Sequence, residues 1–188
     1  LARERARQLH LDGAVFPWRT IRGHECSGYW PAGTAAMHLN ADIAMAVQRY
    51  VDWTQDSAFD ERYALPVLVE TARVWMSLGY HGDDGHFHID GVTGPDEYSA
   101  IVRDNTFTNL AAAANLNSAA AAAQRWPKGA RALDVSAAEA QRWRAAASTV
   151  AVPRDAERGI PEQDLGGTGR EVWDFQRSHD ESRYPLLL

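Results

Sequence analysis

Apolar side chains recur at helical spacing through several long stretches of the chain, separated by glycine- and proline-rich segments of very uneven length. From about Thr34 to Thr54, Ile43, Val47, Tyr50 and Val51 fall on one face of a predicted helix. A second helix is expected over about Ser57–Leu78, with Leu65, Leu68, Val69, Ala72 and Trp75 as its stripe. Pro66 sits inside that pattern and either kinks the helix or sets its true start. An alanine-rich helix over about Thr106–Arg125 is stopped by Pro127. Ser136 and Glu139 have the spacing of a capping box opening a helix over about Ala137–Thr149. A short helix is expected to close near Leu9, loop chemistry fills Asp12–Gly33, and the stretch from Pro153 onward reads as mostly loop. Between the second and third long helices, Phe87 and Ile89 alternate with His86, His88 and Asp90. That is a small strand or hairpin arm, ending in the turn-forming run Gly91–Pro95.

The pattern is therefore mainly helical, with one short hairpin-like segment and with long loops on the helical scaffold where sites tend to sit. Composition narrows the function classes. The chain has 188 residues, 45% hydrophobic and 23% charged, which fits a packed domain rather than a disordered one. A net charge of −6 argues against nucleic-acid binding, which calls for a basic surface. No apolar run approaches the ~20 residues that span a bilayer. The lone Cys26 makes neither an internal disulfide nor a cysteine zinc site, and a reducing, cytoplasmic setting is expected. Seven tryptophans are many for this size and fit either hydrogen-bonded cores or sugar-stacking clefts.

The strongest local signal is Gly94-Pro95-Asp96-Glu97-Tyr98. Gly-Pro fixes a turn, and two adjacent carboxylates repel, so one of them can stay protonated near neutrality and act as a general acid. The plainer alternative is that Asp96 or Glu97 caps the helix that follows. Phe16-Pro17-Trp18-Arg19 with Gly23-His24-Glu25-Cys26 forms either a sugar-binding wall or a loop anchored by a buried tryptophan. His86-x-His88-x-Asp90 shares one face of an extended arm, but it lacks a fourth ligand at suitable spacing, and no metal site is expected. Glu162-Gln163-Asp164 contributes to a cleft or forms a solvated loop tip. No phosphate-binding glycine loop or serine-nucleophile elbow is present.

Taken together, several segments resemble glycoside hydrolase family 65, the inverting disaccharide phosphorylases and their acid trehalase relatives. They are Gly13-Ala14-Val15-Phe16-Pro17-Trp18, Gly23-His24-Glu25-Cys26, His38-Leu39-Asn40-Ala41-Asp42-Ile43-Ala44 and Glu70-Thr71-Ala72-Arg73-Val74-Trp75, followed by Val92-Thr93-Gly94-Pro95-Asp96-Glu97-Tyr98, Asp104-Asn105-Thr106-Phe107-Thr108-Asn109, Gly159-Ile160-Pro161-Glu162-Gln163-Asp164 and Tyr184-Pro185-Leu186-Leu187-Leu188. The resemblance implies an all-α (α/α)6 barrel of which residues 1–188 are a central part. The family's N-terminal β-sandwich and C-terminal parts lie outside the chain. The apolar last residues and the uncapped first helix likewise read as cut ends of a longer polypeptide.

By the same resemblance Glu97 is the general acid, while Trp18, Glu25, Trp30, Asp96, Tyr98 and Glu162 are expected to contact substrate. The loop Ser27-Gly28-Tyr29-Trp30-Pro31-Ala32-Gly33-Thr34 is similar to the trehalose-type branch. The implied reaction is phosphorolysis of an α-glucosyl disaccharide, trehalose favoured over maltose or kojibiose. Inorganic phosphate is the co-substrate, and no cofactor is needed. An inverting hydrolase needs a second carboxylate to hold a water, and that group would have to lie beyond Leu188. A catalytically silent sugar-binding domain is the reading from another class. The family's frequent homodimers carry over as an expectation.

Overall fold

The computed structural model describes residues 1–27, 32–96 and 100–181. In chain order it runs through α1 (Ala2–Gln8), the hairpin β1 (Thr20–Ile21) and β2 (His24–Glu25), α2 (Ala32–Ala35) and α3 (His38–Thr54). One continuous helical run follows, made of α4 (Ser57–Phe59), a π turn (Asp60–Ala64) and α5 (Leu65–Leu78). Then come β3 (Tyr80–His81), β4 (Phe87–His88), β5 (Asp90–Val92), β6 (Val102–Arg103), α6 (Thr106–Arg125), α7 (Pro127–Ala132) and α8 (Ala137–Thr149). The described chain closes with β7 (Arg154–Asp155), β8 (Ile160–Pro161), a 3-10 turn (Gly167–Gly169) and α9 (Phe175–Asp180).

Helix α6 is the central element and packs against α3, α5 and α8. Its alanines explain how one helix serves three neighbours. Ala111, Ala112, Ala119, Ala120 and Ala122 are all buried, and their single methyl groups let flanking backbones approach from several sides. Large core side chains come from α5, α8 and the β4 segment, with Trp75, Leu68, Val69, Trp143 and Phe87 enclosed. The Trp75 indole donates to Asn115 Oδ1 at 2.9 Å, and the Asn115 amide donates to the Leu68 carbonyl, so α5 and α6 share a satisfied polar link inside the core. Arg73 bridges α5 to α8, with Nε 2.8 Å from Glu139.

The predicted bounds of α6 and α8 hold, and so does the stripe on α5. The Pro66 alternative resolves as follows. Proline has no amide to offer the Arg62 carbonyl, and the turn ahead of α5 is widened to a π turn. Four expectations are corrected. Of the stripe predicted on α3, Val51 is buried and Val47 packs against the core, but Tyr50 is exposed and the rest of the buried face is His38, Asn40, Ala41 and Ala44. The helix expected from Thr34 is broken between α2 and α3, where the Asn40 amide donates to the Met37 carbonyl. The arm at residues 86–90 is divided between two hairpins. Phe87–His88 pairs with Tyr80–His81, Asp90–Val92 pairs with Val102–Arg103, and Phe87, His88 and Ile89 are all buried. Finally, Ser136 does cap α8 by accepting from the Glu139 amide, but the Glu139 carboxylate turns to Arg73 rather than closing the box. Two-residue hairpins also occupy the loops at 20–25 and 154–161.

Candidate active site

The N-terminal end of α6 gathers segments far apart in sequence. Asn105 is the N-cap, and its side chain accepts from the Thr108 amide at 3.0 Å. That rules out the plainer alternative for Asp96, which lies ahead of β6 and does not cap α6. The Thr106 amide donates to the Gln163 carbonyl at 2.8 Å, and its hydroxyl donates to the Glu162 carbonyl at 2.6 Å. Gln163 in turn donates from Nε2 to Asp96 Oδ2 at 2.7 Å. Pro95, Asp96, Asn105, Phe107, Glu162 and Gln163 thus line a cleft of about 380 Å³. Gly94 is needed at its edge, since a Cβ there would collide with the Asn105 amide group. The buried Thr93 fixes the turn from behind. Its amide donates to the Ala35 carbonyl, its carbonyl lies 3.2 Å from His38 Nδ1, and its hydroxyl donates to the Ala100 carbonyl.

Glu162 is nearly buried, and its carboxylate is taken up within its own loop by the Thr168 hydroxyl and the Gly166 amide. Those hydrogen bonds hold its pKa below the usual carboxylate range. Its backbone carbonyl and its place in the lining are what it gives the cleft. The solvated-tip alternative fails for Asp164 too, which is fully buried and paired with Arg170.

Trp18 and Glu25 lie in the β1–β2 region and do not line this cleft. The Glu25 carboxylate accepts from the Trp18 amide at 2.6 Å, from the Arg19 and Ser27 amides and from the Ser27 hydroxyl, with Arg5 3.5 Å away. Burial pushes its pKa up, and these hydrogen bonds more than reverse the effect, leaving it ionised. Glu25 therefore fixes the loop geometry. The half-buried Trp18 carries the Arg19 guanidinium over its ring at 4.7 Å. This wall is tied to α3, the helix that also carries His38, because the Asn40 side-chain oxygen accepts from the Phe16 amide at 2.8 Å.

Glu97, Tyr98 and Trp30 lie outside the described residues. His38, Asn105, Thr106 and Phe107 shape the cleft without having been singled out from the sequence, although each falls inside a segment quoted for the resemblance, while Gln163 belongs to the run read as a cleft contributor or a loop tip. The His38 ring meets Phe107 edge-on at 5.8 Å between centroids. One turn along α3, partial burial raises the Asp42 carboxyl pKa, and His38 offsets part of that rise. Among the described residues, no group of three His, Cys, Asp or Glu side chains is placed to hold a metal ion. His88 is instead hydrogen-bonded to Asp104 and Asp84. No helix among the described residues is long and apolar enough to cross a membrane.

The profile of the glycosyl hydrolase family 65 central catalytic domain matches residues 1–188. The chain belongs to glycosyl hydrolase family 65. Within the family it is 55% identical over its whole length to an uncharacterized glycosyl hydrolase of Mycobacterium tuberculosis strain H37Rv, of which it covers 24%. It is 44% identical, again over its whole length, to the alpha,alpha-trehalose phosphorylase of Geobacillus stearothermophilus, of which it covers 25%. A solved structure from the human microbiome, assigned as a kojibiose phosphorylase, superposes with a TM-score of 0.85 at 25% identity over 98% of this chain and 28% of that one. The chain thus spans about a quarter of the length of the curated relatives it matches.

Proposed function

We propose that these residues form the central part of an (α/α)6 catalytic barrel in an inverting disaccharide phosphorylase, with trehalose as the favoured substrate. The observation that carries this reading is the anchoring of Gly94-Pro95-Asp96. Asn105 packs against its glycine, and Gln163 holds its aspartate at 2.7 Å on the wall of a cleft. That segment leads directly into Glu97, the carboxyl we assign as general acid. Trehalose is favoured by the similarity to the Geobacillus enzyme across every residue of the chain.

In the proposed reaction a phosphate oxygen bonds to the anomeric carbon as the bond from that carbon to the glycosidic oxygen breaks. The Glu97 proton passes to the departing oxygen. The products are free glucose and β-glucose 1-phosphate, with inversion at the anomeric centre. Phosphate replaces the water and base of an inverting hydrolase, so a single carboxyl suffices and no cofactor enters. Trp18 and Trp30 offer stacking surfaces for sugar rings, Glu25 holds the first of them in place, and Asp96, Tyr98 and Glu162 complete the polar lining. A cytoplasmic homodimer completes the reading.

Hydrolysis is the second reading, favoured by the M. tuberculosis relative named a glycosyl hydrolase. The test incubates the intact polypeptide carrying these residues with trehalose, maltose and kojibiose, each with and without inorganic phosphate. Phosphate-dependent glucose release matched by β-glucose 1-phosphate is expected, and Glu97→Gln should lower kcat by about a hundredfold or more. Release that ignores phosphate would replace phosphorolysis by hydrolysis. Unchanged turnover in Glu97→Gln would remove Glu97 from the acid role.

A further inference from the structure

Behind the cleft wall, both ring nitrogens of His88 are engaged by carboxylates. Nδ1 lies 2.8 Å from Asp104 Oδ2, and Nε2 lies 3.0 Å from Asp84 Oδ1. The two acids differ sharply. Asp104 is fully enclosed, while Asp84 sits on the exposed Gly82–Gly85 turn. A neutral imidazole offers only one N–H. Only the imidazolium can donate to both carboxylates at once, so the geometry selects the charged ring. Tyr80 stacks on the ring face, with its hydroxyl donating to Asp90 Oδ2 at 2.9 Å, and the His86 ring lies edge-on at 6.4 Å. Arg103 stands 3.3 Å from Asp90 and 3.6 Å from Asp104, and His86 Nδ1 lies 3.4 Å from Asp84 Oδ2. Burial alone pushes the His88 pKa down. The hydrogen bonds it donates to Asp104 and Asp84 more than reverse this, and it ends above its ordinary value.

Asp104 transmits what His88 fixes. It adopts a left-handed backbone conformation, with φ +49, which a non-glycine residue takes only when its surroundings hold it there. Its Oδ1 accepts from the Ile89 amide and the Asn109 side chain, both at 3.2 Å, and its own amide donates to the Ile89 carbonyl at 2.9 Å. The next two residues are Asn105, against which Gly94 packs, and Thr106, which is bonded to the Glu162–Gln163 backbone.

We propose that His88 is a positioning residue of the catalytic cleft, clamping Asp104 so that the start of α6 holds the Asp96 and Gln163 walls in register. The kinetic half of this inference rests on the proposed function, and the structural half does not. Both are tested in the intact polypeptide with His88→Gln, which keeps a donor but no charge, and Asp84→Asn, which alters only the exposed partner.

The first readout is amide hydrogen exchange at one fixed pH. The Thr106 amide, which donates to Gln163, should exchange at least tenfold faster in His88→Gln. The Trp126 amide, bonded to Ala122 at the far end of α6, should be unchanged. The second readout is the pH profile of kcat/KM. In Asp84→Asn the alkaline decline should begin at lower pH than in wild type, because one of the two partners of the imidazolium loses its negative charge. In His88→Gln, kcat should fall at least fivefold, with KM moving less. Thr106 protection equal to wild type in His88→Gln would overturn the proposal. So would equal acceleration at Thr106 and Trp126, which would signify general loosening. An Asp84→Asn pH profile that overlays wild type would overturn it as well. Selective loss of Thr106 protection in a protein that turns over no disaccharide would uphold the clamp and overturn the proposed function.

Discussion

The two ends of α6 hold their polar groups in opposite ways. At the C-terminal end Asp60 is buried and saturated. It takes Arg125 through Nε at 2.6 Å and through a second nitrogen at 3.1 Å, and the Trp126 indole at 2.8 Å. Such bidentate, indole-backed pairing closes a carboxylate off from any reactant. At the N-terminal end Asp96 is exposed on the rim of a cleft and is held there by the neutral side chain of Gln163. One helix thus joins a carboxylate locked by arginine and indole at one end to a cleft rim at the other, where an amide donates to the carboxylate.

The sharpest way to break this contrast is to unlock the C-terminal end. Arg125→Ala should cost about 3 kcal/mol, the low end for orphaning a buried charge because Arg125 itself is partly exposed, as read by urea denaturation. Turnover per folded molecule should stay as in wild type. The same variant should change the acid limb of stability. Burial raises the Asp60 pKa, but Arg125 and Trp126 bring it below its ordinary value. The pair therefore contributes in full above the unfolded value of about 4, and its contribution is lost as pH falls through the lowered folded value. Without Arg125 that part of the acid dependence should shrink. At the other end Gly94→Ala forces a methyl group onto the Asn105 amide. It should lower kcat/KM at least tenfold, about 1.4 kcal/mol of transition-state stabilisation, with a smaller loss of Tm. Gln163→Ala removes the amide that donates to Asp96 and should lower kcat/KM by about threefold, with little change in thermal unfolding. Ser136→Ala, which removes only the cap of α8, should cost about 0.5 kcal/mol in stability and leave kinetics unaltered.

What could be read from the sequence follows from where the forces are local. The bounds of α6 and α8 were legible because Pro127 and Ser136 act on their own neighbours. The stripe on α5 was legible because large apolar residues leave no other assignment. The buried face of α3 was not, since alanines chosen for close approach to α6 carry little hydrophobic signal beside Ile43 and Tyr50. The extended arm at 86–90 was legible from its alternation, but its division between two hairpins and the hairpins at 20–25 and 154–161 were not, because strands of two or three residues carry too little period and are held by their partners. His88 read as the polar half of an alternation, and only the fold shows Asp104 and Asp84 on either side of it. For the cleft, the motif carrying Asp96 was visible, while its tie to Gln163 joins residues 67 positions apart and exists only once the chain is folded.

The π turn ahead of α5 fixes a phase. At roughly 100° per residue, five residues of ordinary helix would set Asp60 about 140° around the axis from Leu65. The widened turn absorbs one residue and leaves them about 40° apart, so the salt-bridged carboxylate and the apolar stripe both meet α6. Removing one residue from Glu61–Ala64 would leave a regular helix with Asp60 and Leu65 again about 40° apart, so the shortened segment should keep Asp60 on the Arg125 side. In this segment the phase is under tighter constraint than the number of residues that sets it.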